Sequence, residues 1–310
     1  MKKFIFKVFV PTIVIFIFLL GCAELFLRSV PNDFKAKAEY MDKHASEIKI
    51  LVIGSSGTAM GVKPSCFDWQ PSYSCAYANQ GALYNYLILS KYIDAMDSLR
   101  YVIMDATYAG LWNDGKYAQT YVKKYSIYFG FDDFKGFSNR FEISANIKDI
   151  FERLTHKSDR AAFLTCDSDG FQSRYFENIP YNDSIWKANG KTHCEIDHTK
   201  IYQENAEQVC ESNTIITKQI IELCKKRNVN VLFISMPCHP YYFEYYNPIQ
   251  KRIVDSTYSA LCDEYDNVKW LDYTTMFFGT DEMLNVNHLN TKGAIRFTKM
   301  INDSILGWNN

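Results

Sequence analysis

The 310-residue chain has no surplus of basic charge: 34 Lys and Arg stand against 35 Asp and Glu, a formal net charge of −1. Nothing in that balance neutralises a phosphate backbone, so nucleic acid is excluded as an expected partner. Neither an internal repeat nor a low-complexity tract is evident, which argues against solenoid and disordered architectures. The Gly-rich run at 54–61 is not followed by Gly-Lys-Ser/Thr, so it is not a phosphate-cradling loop of the ATPase kind. His193, Cys194, Asp197 and His198 match no familiar zinc spacing, and no metal is expected there. Aromatic residues, by contrast, are plentiful, with 22 Tyr and 22 Phe. They fit a Phe/Tyr-rich core first, and rings that stack on sugars second.

The clearest feature is N-terminal. Lys2, Lys3 and Lys7 precede an apolar run from Val8 to Leu20 that resumes through Ala23, Leu25, Phe26 and Leu27. A helix over that stretch is long enough to cross a hydrocarbon core of about 30 Å. Lysines before it and few charges just after it predict a cytoplasmic N-terminus and an extracytoplasmic remainder, hence a single-pass protein of a bacterial inner membrane facing the periplasm. Leu19-Leu20-Gly21-Cys22 also has the form of a lipobox, so a lipoprotein anchored at Cys22 is the alternative to an uncleaved signal anchor. Nine cysteines fit an oxidising compartment, and Cys66 with Cys75 is the expected local disulfide.

The organisation that follows is an anchor over 1–30, a stalk or first helix over 31–46, and one domain over 47–310. Apolar runs predict buried strands at Ile48–Ile53, Tyr101–Met104, Val229–Met236 and Val268–Leu271, with a shorter one over Ser74–Ala78. Helical patterns fall at Leu83–Met96, Tyr202–Lys226, Ile249–Tyr265 and Thr291–Leu306. The second of these is expected to bury Val209, Ile215, Ile216, Ile220, Ile221 and Leu223. Residues 110–200 read as an irregular insertion with one helix around 141–154. Alternating strands and helices, with strands apolar on both faces, predict an α/β fold with a parallel sheet covered on both sides. Ligands in such sheets bind beyond the strands' carboxyl ends, just after Ile53, Met104, Met236 and Leu271.

The chemistry-bearing residues gather at those ends. After the first strand comes Gly54-Ser55-Ser56-Gly57, where a serine in a tight turn can present its hydroxyl beside backbone N–H groups aimed at an oxyanion. A plain polar turn is the simpler alternative. His288, in Asn285-Val286-Asn287-His288-Leu289-Asn290 before the closing helix, can reach Ser56 and accept its proton. The segment from Pro237 to Tyr246 predicts either a groove lined by His239, Tyr241 and Tyr242 or a packed aromatic loop.

These motifs resemble the SGNH/GDSL hydrolase superfamily, more narrowly the membrane-anchored members of bacterial surface-polysaccharide gene clusters. The likeness rests on Leu51–Ser56, Asn79-Gln80-Gly81, Val231–Pro237 and His288–Ala294. It implies a three-layer α/β/α flavodoxin-like fold with Ser56 as nucleophile and His288 as base. It also implies an oxyanion hole from the backbones of Ser56 and Gly81. Two departures stand out. Asn285 occupies the position of the family's Asp, for which Asp281 or Asp272 could substitute, and Thr107 stands where the family's oxyanion Asn belongs. The implied activity is a serine-dependent esterase or O-acyltransferase, acetyl being the simplest acyl group. It would act without a cofactor on a surface polysaccharide supplied with an acyl donor. The departures imply the alternative, a domain that no longer catalyses but binds glycan or scaffolds polysaccharide assembly machinery.

Overall fold

The computed structural model describes residues 2–114, 119–131, 140–144, 164–174 and 180–308. The chain divides into two compact units, one of residues 1–38 with 118–165 and one of 39–117 with 166–310.

In the first unit, helix α1 runs Lys2–Ser29 through Pro11. Its stretch Lys7–Ser29 has a mean hydropathy of 2.4, long and apolar enough to cross a membrane, and every side chain from Lys7 to Leu20 is exposed. Helix α2 follows at Asp33–His44, in the place expected for a stalk or first helix, and its residues from Glu39 on are assigned to the second unit. Glu24 of α1 accepts hydrogen bonds from the amides of Glu142 (3.1 Å) and Ile143 (2.9 Å), and from Arg28 Nε (2.6 Å). Beside it, Lys124 Nζ reaches both carboxylate oxygens of the fully buried Glu142 at 2.7 and 2.6 Å. Removing either partner would strand a buried charge. Of the helix expected around 141–154, the described residues include one 3-10 turn, Glu142–Ser144, and the rest lies outside them.

The second unit holds a five-stranded sheet in the order β2-β1-β3-β4-β5, every neighbouring pair parallel. The strands are β1 Ile50–Val52, β2 Ser72–Ser74, β3 Tyr101–Asp105, β4 Asn230–Ser235 and β5 Val268–Asp272. Side chains alternate along a strand, so each strand feeds two cores. Ile50, Val52, Tyr101, Ile103, Leu232 and Ile234 share a cluster with Phe297, Ile301 and Ile305 of the closing helix. On the opposite parity, Phe233 meets the ring of Tyr258 at 5.0 Å, on the helix Pro248–Glu264. Helices therefore cover both faces, which gives the α/β/α layering. It also explains strands that are apolar throughout, each buried Ile, Leu or Phe contributing about 1.5–3 kcal/mol.

The helices of this unit begin with α3 Ser56–Gly61 and α4 Ala82–Tyr92. In the region read as irregular, α5 Gln119–Lys124 belongs to the first unit and α6 Asp183–Lys191 to the second. Helix α6 was not expected. Asn182 caps it, its side chain accepting from the amide of Ile185, and Trp186 and Gly190 form its buried face. A Cβ at Gly190 would stand 1.9 Å from the carbonyl of Tyr241, so only glycine lets the two backbones approach. A π-helical turn, Thr192–His198, continues from it. Then come α7 Ala206–Lys226, the short α8 Pro240–Phe243 and α9 Pro248–Glu264. A two-stranded hairpin of β6 Met283–Asn285 and β7 His288–Leu289 leads into α10 Thr291–Leu306.

Two expectations need correcting. The buried stripe of α7 is Asn213, Thr217, Ile220, Ile221 and Cys224, and Ile215 is exposed. The polar members are there because Asn213 Nδ2 donates to the carbonyls of Leu111 (2.9 Å) and Asn113 (3.0 Å), a clamp that pattern reading for apolar residues misses. Cys66 and Cys75 are not joined to each other: Cys66 is a half-buried thiol at the end of the 3-10 turn Pro64–Cys66, while Cys75 is buried past the end of β2.

Candidate active site

Where β1 ends, the backbone of Gly54 turns at φ 130°, and a Cβ there would lie 2.0 Å from Asp105 Oδ1. Glycine is required on both counts. The turn is gripped by Asp105 at the end of β3, whose Oδ1 accepts from the amide of Ser55 (2.9 Å) and whose Oδ2 accepts from its hydroxyl (2.5 Å). Burial raises the Asp105 pKa, and the two bonds from Ser55 act against that rise. Held in this way, the chain presents Ser56 at the first position of α3.

His288 arrives from the other end of the sequence, on β7. Its Nε2 lies 2.8 Å from Ser56 Oγ and its Nδ1 lies 3.0 Å from Asn285 Oδ1. The proton positions follow from one further contact. The amide of Asn287 also donates to Asn285 Oδ1 (3.1 Å), so that atom is an acceptor and the carboxamide cannot be turned around. Nδ1 of His288 therefore carries the proton, and the Nε2 lone pair faces the serine hydroxyl. Burial, with smaller contributions from His198 and His193, lowers the His288 pKa to about 3, so the ring is neutral near pH 7. The carboxylates expected as substitutes are engaged by other residues. Asp281 pairs with Lys292, while Asp272 accepts from Thr274 (2.9 and 2.6 Å) and pairs with Lys251.

Ser56 and His288 line a cavity of about 540 Å³, within the usual range for a small-molecule site. Gly81, the N-cap of α4, lines it too. Among the described residues nothing accepts from the amides of Ser56 or Gly81, as expected for the first residues of helices. Thr107 lies in the same cavity, but its methyl faces the nucleophile turn: Cγ2 is 3.7 Å from where a Cβ on Gly57 would stand, while Oγ1 is 2.8 Å from the same point on Gly110. Sequence reasoning missed Asn113. Its Cγ lies 3.7 Å from where a Cβ on Gly81 would stand, and Nδ2 makes a long 3.4 Å bond to the carbonyl of Asn79. The 3-10 turn Gly110–Trp112 and the Asn213 clamp carry it there, and no local motif announces either.

The three groove residues part company. Tyr242 lines the cavity, but His239 and Tyr241 are not among its lining residues. They pack on α6 instead: His239 meets Trp186 edge-to-face at 5.4 Å, and Tyr241 donates to Asp183 Oδ1 at 2.6 Å. Of the imagined zinc residues, His193 pairs with Asp197 (3.2 Å) and His198 turns to Tyr242. Among the described residues no group of three or more His, Cys, Asp or Glu side chains could hold a metal.

A scan against protein-family models finds no match, and a search of curated proteins finds none. Solved structures do match. One is a provisionally assigned acylhydrolase from Bacteroides fragilis, 11% identical, with a TM-score of 0.39; the match covers 86% of this chain and 95% of that one.

Proposed function

We propose that the protein is a serine-dependent ester hydrolase or O-acyltransferase of SGNH type, acting on an acylated carbohydrate outside the cytoplasmic membrane. The observation that carries the proposal is the relay from Asn285 Oδ1 through the His288 ring to Ser56 Oγ, at the mouth of the cavity at the sheet's carboxyl edge.

In this reading Ser56 Oγ attacks the ester carbonyl as its proton passes to His288 Nε2. The tetrahedral oxyanion takes hydrogen bonds from the amides of Ser56 and Gly81, with the carboxamide of Asn113 as the third donor in place of Thr107. Collapse breaks the bond to the alcohol, which leaves with the proton from His288. Water or a sugar hydroxyl then attacks the acyl-serine, again through the histidine. Asn285 fixes the productive tautomer but adds no charge to stabilise the imidazolium. The chemistry needs no metal or organic cofactor, and acetyl is the simplest acyl group. The apolar α1 helix supports an inner-membrane anchor with the site in the periplasm, beside polysaccharide assembly machinery.

The orientation of Thr107 favours a second reading, a domain that holds glycan without turning it over. Hydrolysis of p-nitrophenyl acetate by the full chain in detergent, compared with Ser56→Ala and His288→Ala, separates the two. Loss in both variants with an unchanged melting temperature supports the esterase. Equal rates in all three sink it.

A further inference from the structure

Besides the reacting pair, the cavity is lined by aromatic side chains and by the end of the π-helical turn at His198. Tyr108 and Tyr246 stack face to face at 4.0 Å, and Tyr242 meets Tyr246 edge-on at 5.5 Å. One hydrogen bond of this wall places the histidine: the hydroxyl of Tyr242 lies 2.5 Å from His198 Nδ1. A Tyr242 hydroxyl that donates to Nδ1 leaves the proton of a neutral ring on Nε2. Burial lowers the His198 pKa to about 4, so the ring stays neutral near pH 7. Among the described residues Nε2 has no hydrogen-bond partner, although the ring lines the cavity.

The wall thus sets aromatic rings beside the edge of a neutral imidazole, a combination suited to a sugar's apolar surface and its hydroxyls and not to a cation. We propose that His198 is a substrate-positioning residue, whose Nε2–H donates to a hydroxyl or ring oxygen of the carbohydrate on the alcohol side of the ester. This rests on the acyl-transfer reading of Ser56 and His288. The amide of His239 donates to the carbonyl of Val286 at 2.8 Å, which ties the segment carrying Tyr242 to the hairpin that carries the base.

The test uses the full chain in detergent and two esters, p-nitrophenyl acetate and methyl 6-O-acetyl-α-D-glucopyranoside. His198→Phe is expected to lower kcat/KM for the sugar ester about 10-fold more than for the aryl ester, chiefly through KM. His198→Gln, which keeps an N–H donor near the position of Nε2, recovers most of the loss, and Tyr242→Phe falls between. A loss equal for both esters, or no selective loss, overturns the proposal. A purely structural role would move both esters together and would not be rescued by glutamine. If the native chain hydrolyses neither ester, the acyl-transfer reading fails by itself, and calorimetric titration with the same sugar ester then decides. Binding weakened by His198→Phe and restored by His198→Gln upholds the contact. Binding equal in all three proteins, or absent from the native chain, overturns it.

Discussion

The proposed nucleophile and the proposed base of this site are held by opposite kinds of side chain. On the nucleophile's side a carboxylate, Asp105, grips the backbone and hydroxyl of Ser55. On the base's side an amide, Asn285, takes the proton of His288 Nδ1. The charge sits where it fixes the path of the chain, and neutrality sits where it leaves the imidazole's protonation to burial. Geometry and proton affinity are therefore set by different residues and can be altered separately.

The largest effect that can break this comparison comes from removing the nucleophile itself. Ser56→Ala should lower kcat for p-nitrophenyl acetate by about 10⁴-fold or more, measured by release of nitrophenol. Next comes the oxyanion. Asn113→Ala should cost about 100-fold in kcat, and Thr107→Val much less, because the hydroxyl of Thr107 lies on the side of Gly110. Equal losses for the two would return Thr107 to the oxyanion hole. On the carboxylate side, Gly54→Ala drives a methyl into Asp105 in a strained backbone conformation. Chemical denaturation should show about 2 kcal/mol of lost stability.

The smallest effect sharpens the comparison most. Asn285→Asp places a charge beside His288 and should raise its pKa by about 1 to 3 units. The acid limb of the kcat/KM profile should then move to higher pH, whereas the native protein should keep its rate well below pH 6.5. Stability has its own pH signature. His288 and His198 are neutral in the fold with pKa values lowered to about 3 and about 4. An unfolded histidine binds its proton near pH 6.5. The unfolded chain therefore takes up more protons, and the melting temperature should fall as pH drops from about 6.5 toward 4.

How much of this was legible in the sequence depends on how local the determinants are. Four of the five strands are apolar runs closed by Gly54, Asp105, Pro237 and Asp272, so their places could be read to within a residue or two. Strand β2, Ser72–Ser74, has no such run and was expected at Ser74–Ala78. Ser56 closely follows the first of these runs, and His288 stands two residues ahead of Asn290, the N-cap of the closing helix. Asn113 and His198 lie in the stretch read as irregular, where position depends on remote contacts. Asn213 lies 100 residues from Asn113, and Tyr242 lies 44 from His198. Asn182 ahead of Trp186 was a usable sign of helix α6, since a side chain that can cap stood before an apolar residue. Nothing comparable marks the π turn. The groove residues part for a related reason: His239, Tyr241 and Tyr242 are nearly consecutive, but around one short helix they meet different neighbours, and Tyr242 alone of the three lines the cavity.

The contacts of Glu24 bear on how this protein can be cut. Composition suggests a soluble fragment beginning near residue 31, but that cut discards the carboxylate that receives the amides of Glu142 and Ile143. Proteolytic maturation before Cys22 would be different in kind, because Glu24 and Arg28 would stay on the released side as the third and seventh residues. A secretory peptidase could thus remove the apolar span and leave the first unit its keystone, whereas an expression plasmid trimmed at the edge of hydrophobicity would not.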